Sequence, residues 1–419
     1  MAKNPRVATN RIRYMGNKHL LAPEVARVVS TERDGSPLID VFAGMCSIAA
    51  AVATSERPVW SNDVQEYAAL VAKCQLTSQT PPMRSADLAM TLAGYFEKNI
   101  RKLRERFDKG LAAEKLMLQN ADASEYLELS ESWRHVGNDP KLANEAAKLS
   151  QNSTSFPYRL CAITFAHGYF GLRQAIELDS IRYAIAQGES YGQLSAEQSR
   201  WAVLAFLQAA SICAATPGHF AQYLRPNNES STRRIQRQRR RSPWELFLDA
   251  ADSQNAFGAR AWRIQNEVHC ADVSELWSEL DAHDLDHAIV YADPPYGKDQ
   301  YSRYYHVLET LVRYDYPSAS GVGRYRPDRF TTPFSLKTKA LQAFRELFAQ
   351  IATRGWTLVL SYPSNGLLHS VHGTPLDDLL SEYFSGVRQA FATPTSHSTL
   401  GARHGSPKTK VSEIVWLAS

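Results

Sequence analysis

Residues 293–296 read Asp-Pro-Pro-Tyr and follow directly on the apolar run Ala288-Ile289-Val290-Tyr291-Ala292. A carboxylate, two prolines and an aromatic at the end of a strand suit one chemical problem, holding a planar base by its exocyclic amine. Pro295 has no backbone N–H and a fixed φ, so the local carbonyls stay free and rigidly aimed. Asp293 can accept one amine hydrogen and the Pro294 carbonyl the other, while Tyr296 offers a face for stacking. An amine nitrogen held in this way can attack a methyl donor.

A second group of residues suits a nucleoside cofactor. Asp40, Phe42 and Gly44 lie where the short apolar segment Pro37–Phe42 runs into a turn, and Gly44 lets backbone approach a ligand closely. Asp63 ends the next apolar segment, Pro58–Ser61, about 20 positions after the turn, the usual place for a carboxylate that bonds ribose hydroxyls. A helix cap is the other reading of Asp63. Asp272, after the segment Glu267–Cys270, is likewise either a partner for an adenine amine or a cap.

These residues need a sheet to hold them. Strand-like segments at 37–42, 58–61, 267–270, 288–292, 356–361 and 413–417 predict a Rossmann-like α/β fold, in which ligands bind at the carboxyl ends of the strands. From about Leu76 to Asn266 strand signals vanish and helical periodicity takes over, as in Trp201–Leu207. The expected organisation is therefore residues 1–75 and 266–419 as two parts of one catalytic domain, with 76–265 a large, mostly helical insertion.

The chain has 419 residues and a formal charge of +4, which by itself says little about partners. Where the charge lies is more telling: six of the nine residues from Arg233 to Arg241 are arginine, namely Arg233, Arg234, Arg237, Arg239, Arg240 and Arg241. Such a run is either a solvated basic face or a nucleic-acid contact, and its forked donors suit phosphates and guanine edges. The segment Ala166–Gln174 mixes glycines, aromatics and Arg/Gln, and reads equally as a DNA contact or as core around a tight turn. In Tyr301–His306 the aromatics either wall a base pocket, with Tyr301 and His306 the functional pair, or pack under a helix starting near Val307. Five scattered cysteines and scattered histidines suggest neither disulfides nor a metal site. No run is long enough to span a bilayer, and Met1–Arg6 lacks a signal peptide's apolar core, so a cytoplasmic location is expected.

Taken in order, these motifs resemble the Dam-like group of adenine-specific DNA methyltransferases. Arg13-Tyr14-Met15-Gly16-Asn17-Lys18 is similar to the group's aromatic-x-Gly-Gly-Lys motif, with Asn17 at the usual second glycine. Asp40–Cys46 is similar to its Asp-Pro-Phe-x-Gly-x-Gly loop, with Val41 and Cys46 in place of the proline and the last glycine. Asn62-Asp63, Asp272, Asp293–Tyr296 and Ser361-Tyr362 match later motifs, so the likeness covers roughly 1–75 and 265–419.

The resemblance implies S-adenosylmethionine as cofactor, lined by Tyr14, Lys18, Asp40, Phe42, Gly44, Asp63 and Asp272. It implies a target adenine, flipped from duplex DNA and held by Asp293, Pro294, Pro295 and Tyr296, and it places target recognition in the insertion. A restriction-modification or DNA-marking role follows, with any cognate endonuclease on a separate chain. The rivals are an RNA adenine methyltransferase and a catalytically impaired DNA-binding homologue. Methylation of a glutamine amide or of cytosine's amine is disfavoured by Asp293, because those families carry Asn or Ser there.

Overall fold

The computed structural model describes residues 12–16, 18–33, 35–53, 55–119, 122–397 and 409–419. Asn17 and the opening segment Met1–Arg6 lie outside them. The chain divides into two compact units. One comprises Gly16–Thr77, Phe257–Ser302 and Phe330–Ser419; the other comprises the described residues up to Met15 together with Ser78–Ala256 and Arg303–Arg329.

The first unit carries a sheet of seven strands among the described residues: β1 (Leu38–Asp40), β2 (Val59–Asn62), β3 (Glu267–His269), β4 (Ile289–Ala292), β5 (Thr357–Pro363), β6 (Val387–His397) and β7 (Thr409–Ala418). Their order is β3-β2-β1-β4-β5-β7-β6. β1 to β5 run parallel, whereas β7 is antiparallel to both β5 and β6. The central strands β1, β2, β4 and β5 are buried along their whole length. That explains why they read as continuous apolar runs rather than as alternating ones. Ile39, Val290, Leu358, Phe344, Phe348 and Trp416 belong to the core packed on this sheet.

Strand order reverses between β1 and β4, and register puts Asp40 opposite Ser61 on β2 and Tyr291 on β4. Asp40, Asp63 and Asp293 therefore emerge together at the carboxyl ends of three neighbouring strands. In a doubly wound sheet that switch point is where ligands bind. β6 has no counterpart among the expected strands. As an edge strand it is exposed at many positions and contains Pro394, so no apolar run announces it.

The second unit is helical. Ser85–Arg106, Leu172–Ser190, Ala196–Cys213 and Pro243–Ser253 pack together. Helix Leu172–Ser190 begins after Gly171, which has no side chain to cap it. Both oxygens of buried Glu114 accept the backbone N–H groups of Leu172 and Arg173 instead, at 2.7 and 2.8 Å. That satisfies two donors which a helix N-terminus leaves open. Among the described residues no helix is long and apolar enough to cross a membrane.

Candidate active site

The three carboxyl-terminal loops of the sheet are stitched by backbone amides. Buried Asp40 accepts the N–H of Phe42 at 3.3 Å. Asp63 accepts two amides, Gly44 N–H at 3.0 Å and Gln65 N–H at 2.9 Å, and so ties the β1 loop to the β2 loop. Asn62, also buried, donates to the Ala271 carbonyl at 3.1 Å and accepts Ala271 N–H at 3.0 Å, which fixes the loop before Asp272. Gly44 has φ +49° and Cys46 φ +57°. Both lie in the left-handed region that favours glycine. The tight loop thus persists with a buried cysteine at its final turn.

Asp293 is not solitary. Lys18 Nζ lies 3.1 Å from Asp293 Oδ1 and 2.6 Å from Glu413 Oε1. Glu413, on β7, is 1 % exposed and also accepts a 2.8 Å hydrogen bond from Ser361 Oγ on β5. The Lys18 ammonium sits 5.6 Å from the centre of the Tyr296 ring. Tyr296 is fixed at its backbone as well, its carbonyl accepting Leu367 N–H at 3.0 Å. Tyr301, the first residue of helix Tyr301–Arg313, hydrogen-bonds the Tyr296 side chain. Gly16, at φ +77°, leaves room for Tyr301: a Cβ there would stand 2.8 Å from its hydroxyl.

This electrostatic setting is unusual. Burial pushes the Asp40 carboxyl up to about 8, and the charges of Asp293 and Asp63 add to that against the Phe42 N–H bond. Burial likewise lifts Asp63 to about 6 against its two amide bonds, and Asp293 to about 6, with Lys18 opposing and Glu413 adding. Burial opposes the Lys18 charge, but Asp293 and Glu413 together hold its ammonium well above the usual lysine range.

A carboxyl whose pKa is higher in the folded than in the unfolded chain binds a proton that the unfolded chain has already lost. Folding stability therefore falls as pH rises from the unfolded value near 4 through the folded value near 8. Asp40→Asn keeps an acceptor for Phe42 N–H but removes the charge. It is expected to raise the melting temperature of the ligand-free protein strongly at pH 8.5 and much less at pH 5. Equal shifts at the two values would contradict the burial argument.

The remaining expected cofactor residues each have a packing or capping partner. Phe42 packs edge-on against Phe334, with ring centres 5.3 Å apart. Asp272 caps helix Val273–Leu280, its Oδ1 accepting both Ser274 N–H and Oγ–H at 2.8 and 2.7 Å. Tyr14 belongs to the helical unit and stacks on Tyr305 at 4.9 Å, where Met15 N–H donates to Tyr305 Oη at 2.7 Å.

Two expectations are corrected here, and one pair of alternatives is decided. The helix after the Asp-Pro-Pro-Tyr loop starts at Tyr301 rather than near Val307. His306 is 1 % exposed and bonded to the Phe220 carbonyl at 3.0 Å and to Tyr169 Oη at 3.2 Å; burial lowers it to about 3, so it is a neutral core histidine. Within 166–174, Ala166 to Leu172 and Gln174 are buried, and Gln174 bonds the Gln238 carbonyl at 2.8 Å, which makes the segment core.

The arginine run divides. Arg233, Arg234, Arg237, Arg240 and Arg241 are exposed on and just beyond helix Glu229–Arg239. Arg239 is 3 % exposed, its guanidinium bonded to Tyr126 Oη and stacked on that ring. It is a structural arginine, and its place in the run follows from helical periodicity. Half-buried Arg13 lies near this run: burial first, then the charges of Arg241 and Arg234, lower its pKa.

Sequence reasoning missed Glu413 and the pairing of Lys18 with Asp293. The only signal for Glu413 is a lone acid at the head of the apolar run Ile414–Leu417.

The sequence model of the D12 class N6 adenine-specific DNA methyltransferases matches residues 14–161 and 194–358. The modification methylase StsI of Streptococcus sanguinis is 23 % identical over 375 residues, 89 % of this chain and 46 % of its own length. The modification methylase LlaI of Lactococcus lactis subsp. lactis is 22 % identical over 373 residues, 88 % of this chain and 48 % of its own. The type II methyltransferase M.FokI of Planomicrobium okeanokoites is 25 % identical over 201 residues, 48 % of this chain and 27 % of its own. The chain thus spans about half the length of the first two relatives. No solved structure matches.

Proposed function

Because the chain belongs to the D12 class N6 adenine-specific DNA methyltransferase family, we propose that it methylates the exocyclic amine of adenine in duplex DNA, with S-adenosylmethionine as donor. One observation carries the reading. An Asp-Pro-Pro-Tyr loop and two further raised carboxyls, Asp40 and Asp63, meet at the switch point of the sheet. The donor set fits the cofactor, since buried carboxylates that repel one another are stabilised by a cationic sulfonium. When bound, the cofactor supplies an electrophilic methyl group.

The chain's own residues do the rest. Asp40, Phe42, Gly44 and Asp63 would hold the donor, Asp63 through the lone pairs its two amide bonds leave. Asp293 and the Pro294 carbonyl draw the two amine hydrogens of the target and stabilise the positive charge that develops on nitrogen. A stacked base cannot reach such a pocket, so the adenine is flipped, at a cost of a few kcal/mol. Stacking on Tyr296 returns about 1–3 kcal/mol of that. The helical unit, with its exposed arginines, serves as the target-recognition region. The role is that of a modification enzyme, with any matching endonuclease on another chain.

The Cys46 turn yields a prediction. Val at a left-handed position is strained by roughly 1–2 kcal/mol. Cys46→Gly is expected to bind S-adenosylmethionine at least as tightly as the natural chain, and Cys46→Val more weakly, by calorimetric titration. Equal affinities would show that this turn does not shape the cofactor site.

The function itself is tested by incubating the purified protein with methyl-labelled S-adenosylmethionine and either duplex DNA or RNA. Label is expected in DNA. Label in RNA alone would establish the rival substrate, and cofactor and DNA binding without label would establish an impaired homologue.

A further inference from the structure

We propose that Glu413 is a positioning residue for the methyl transfer: it takes up the charge of Lys18 so that the Asp293 carboxylate is left to grip the substrate amine. The inference rests on the assignment of Asp293 as the amine acceptor and names a residue on a different strand that makes it competent.

The geometry is that of one cation between two carboxylates. Lys18 Nζ is closer to Glu413 Oε1, at 2.6 Å, than to Asp293 Oδ1, at 3.1 Å. Glu413 is also held by Ser361 Oγ, which donates to the same oxygen at 2.8 Å. With 1 % of its surface exposed, Glu413 has no route to a substrate, so any influence on the reaction passes through Lys18. Charge decides the outcome. A buried Lys18–Asp293 pair alone would be neutral, and drawing Asp293 toward an amine would cost part of a buried ion pair. Glu413 makes the trio net negative, which favours the positive charge that appears on the amine nitrogen.

Among the described residues, the groups that act on Asp293 include Lys18 from the segment before helix Ala22–Ser30, Glu413 from β7, Asp40 from β1, and the phenols of Tyr291 and Tyr296 on its own segment. Glu413 adds to the rise of the Asp293 pKa and Lys18 opposes it. Loss of the Glu413 charge must therefore lower the pH at which Asp293 ionises.

The test is a comparison of the full-length natural chain with Glu413→Gln and Glu413→Asp. Glutamine keeps the shape and the acceptor for Ser361 but not the charge; aspartate keeps the charge one methylene further from Lys18. Glu413→Gln is expected to lower kcat on duplex DNA by on the order of 10- to 100-fold, with little change in KM for S-adenosylmethionine. Its acidic limb of kcat against pH is expected to move to lower pH. Glu413→Asp should fall between, in plateau and in limb, and carries the test should the glutamine variant fail to fold. A purely structural role would lower the plateau and leave the limb in place, and that result, or an unchanged kcat, overturns the inference. If the natural chain transfers no methyl to DNA, the functional reading fails separately. Glu413 is then judged from the Asp293 carboxyl titration followed by carbon NMR: a curve shifted to lower pH in the variant supports the inference, and coincident curves overturn it.

Discussion

Asp293→Ala is expected to reduce methyl transfer by roughly 10³-fold or more, the scale on which a preorganised group facing developing charge is felt. Cofactor binding is expected to survive. The fold should survive too, because Lys18 keeps its 2.6 Å partner Glu413 and is not left as an uncompensated buried charge. Asp293→Asn retains an acceptor oxygen but loses the charge, and should fall between the natural chain and the alanine variant. Single-turnover rates at saturating cofactor, with binding measured separately by calorimetry, distinguish lost chemistry from lost binding. An alanine variant with near-natural turnover would remove Asp293 from the site.

The second large effect concerns the arginine face. Replacing Arg233, Arg234, Arg237, Arg240 and Arg241 by glutamine is expected to weaken duplex DNA binding on the order of 10³-fold at low salt. The slope of log affinity against log salt should flatten by about 0.9 for each phosphate contact removed. Because phosphate contacts carry no sequence information, the loss should be similar on specific and random duplexes. An unchanged slope would take these residues out of the interface. Arg239→Gln should behave differently. Its guanidinium is buried against Tyr126, so the expected result is a lower melting temperature rather than a pure loss of DNA affinity.

The parts of the protein legible in sequence are those whose signal is local. The strands β1, β2, β4 and β5 read as apolar runs because both faces are buried, and the turn residues after them sit where the site forms. β6 was not legible, since an exposed edge strand has no apolar run to show. The Lys18–Asp293–Glu413 trio was hidden for a different reason. Lys18 and Glu413 are 395 residues apart and meet only because β7 inserts antiparallel beside β5. The arginine run and His306 show the opposite failure. Their residue types suggested function, but helical phase buries Arg239, and core packing claims His306. The cap at Asp272 was chemically ambiguous in sequence, as a carboxylate before a helix serves a backbone amide and a ligand equally well.

The central claim is that this site places a methyl group on the amine of adenine in DNA. Its most direct test is to methylate duplex DNA with labelled S-adenosylmethionine, digest to nucleosides and identify the labelled species by chromatography and mass. N6-methyldeoxyadenosine carrying the label is expected, and is expected to be absent with Asp293→Ala. Label on methylated deoxycytidine, or label equally strong with the alanine variant, would contradict it.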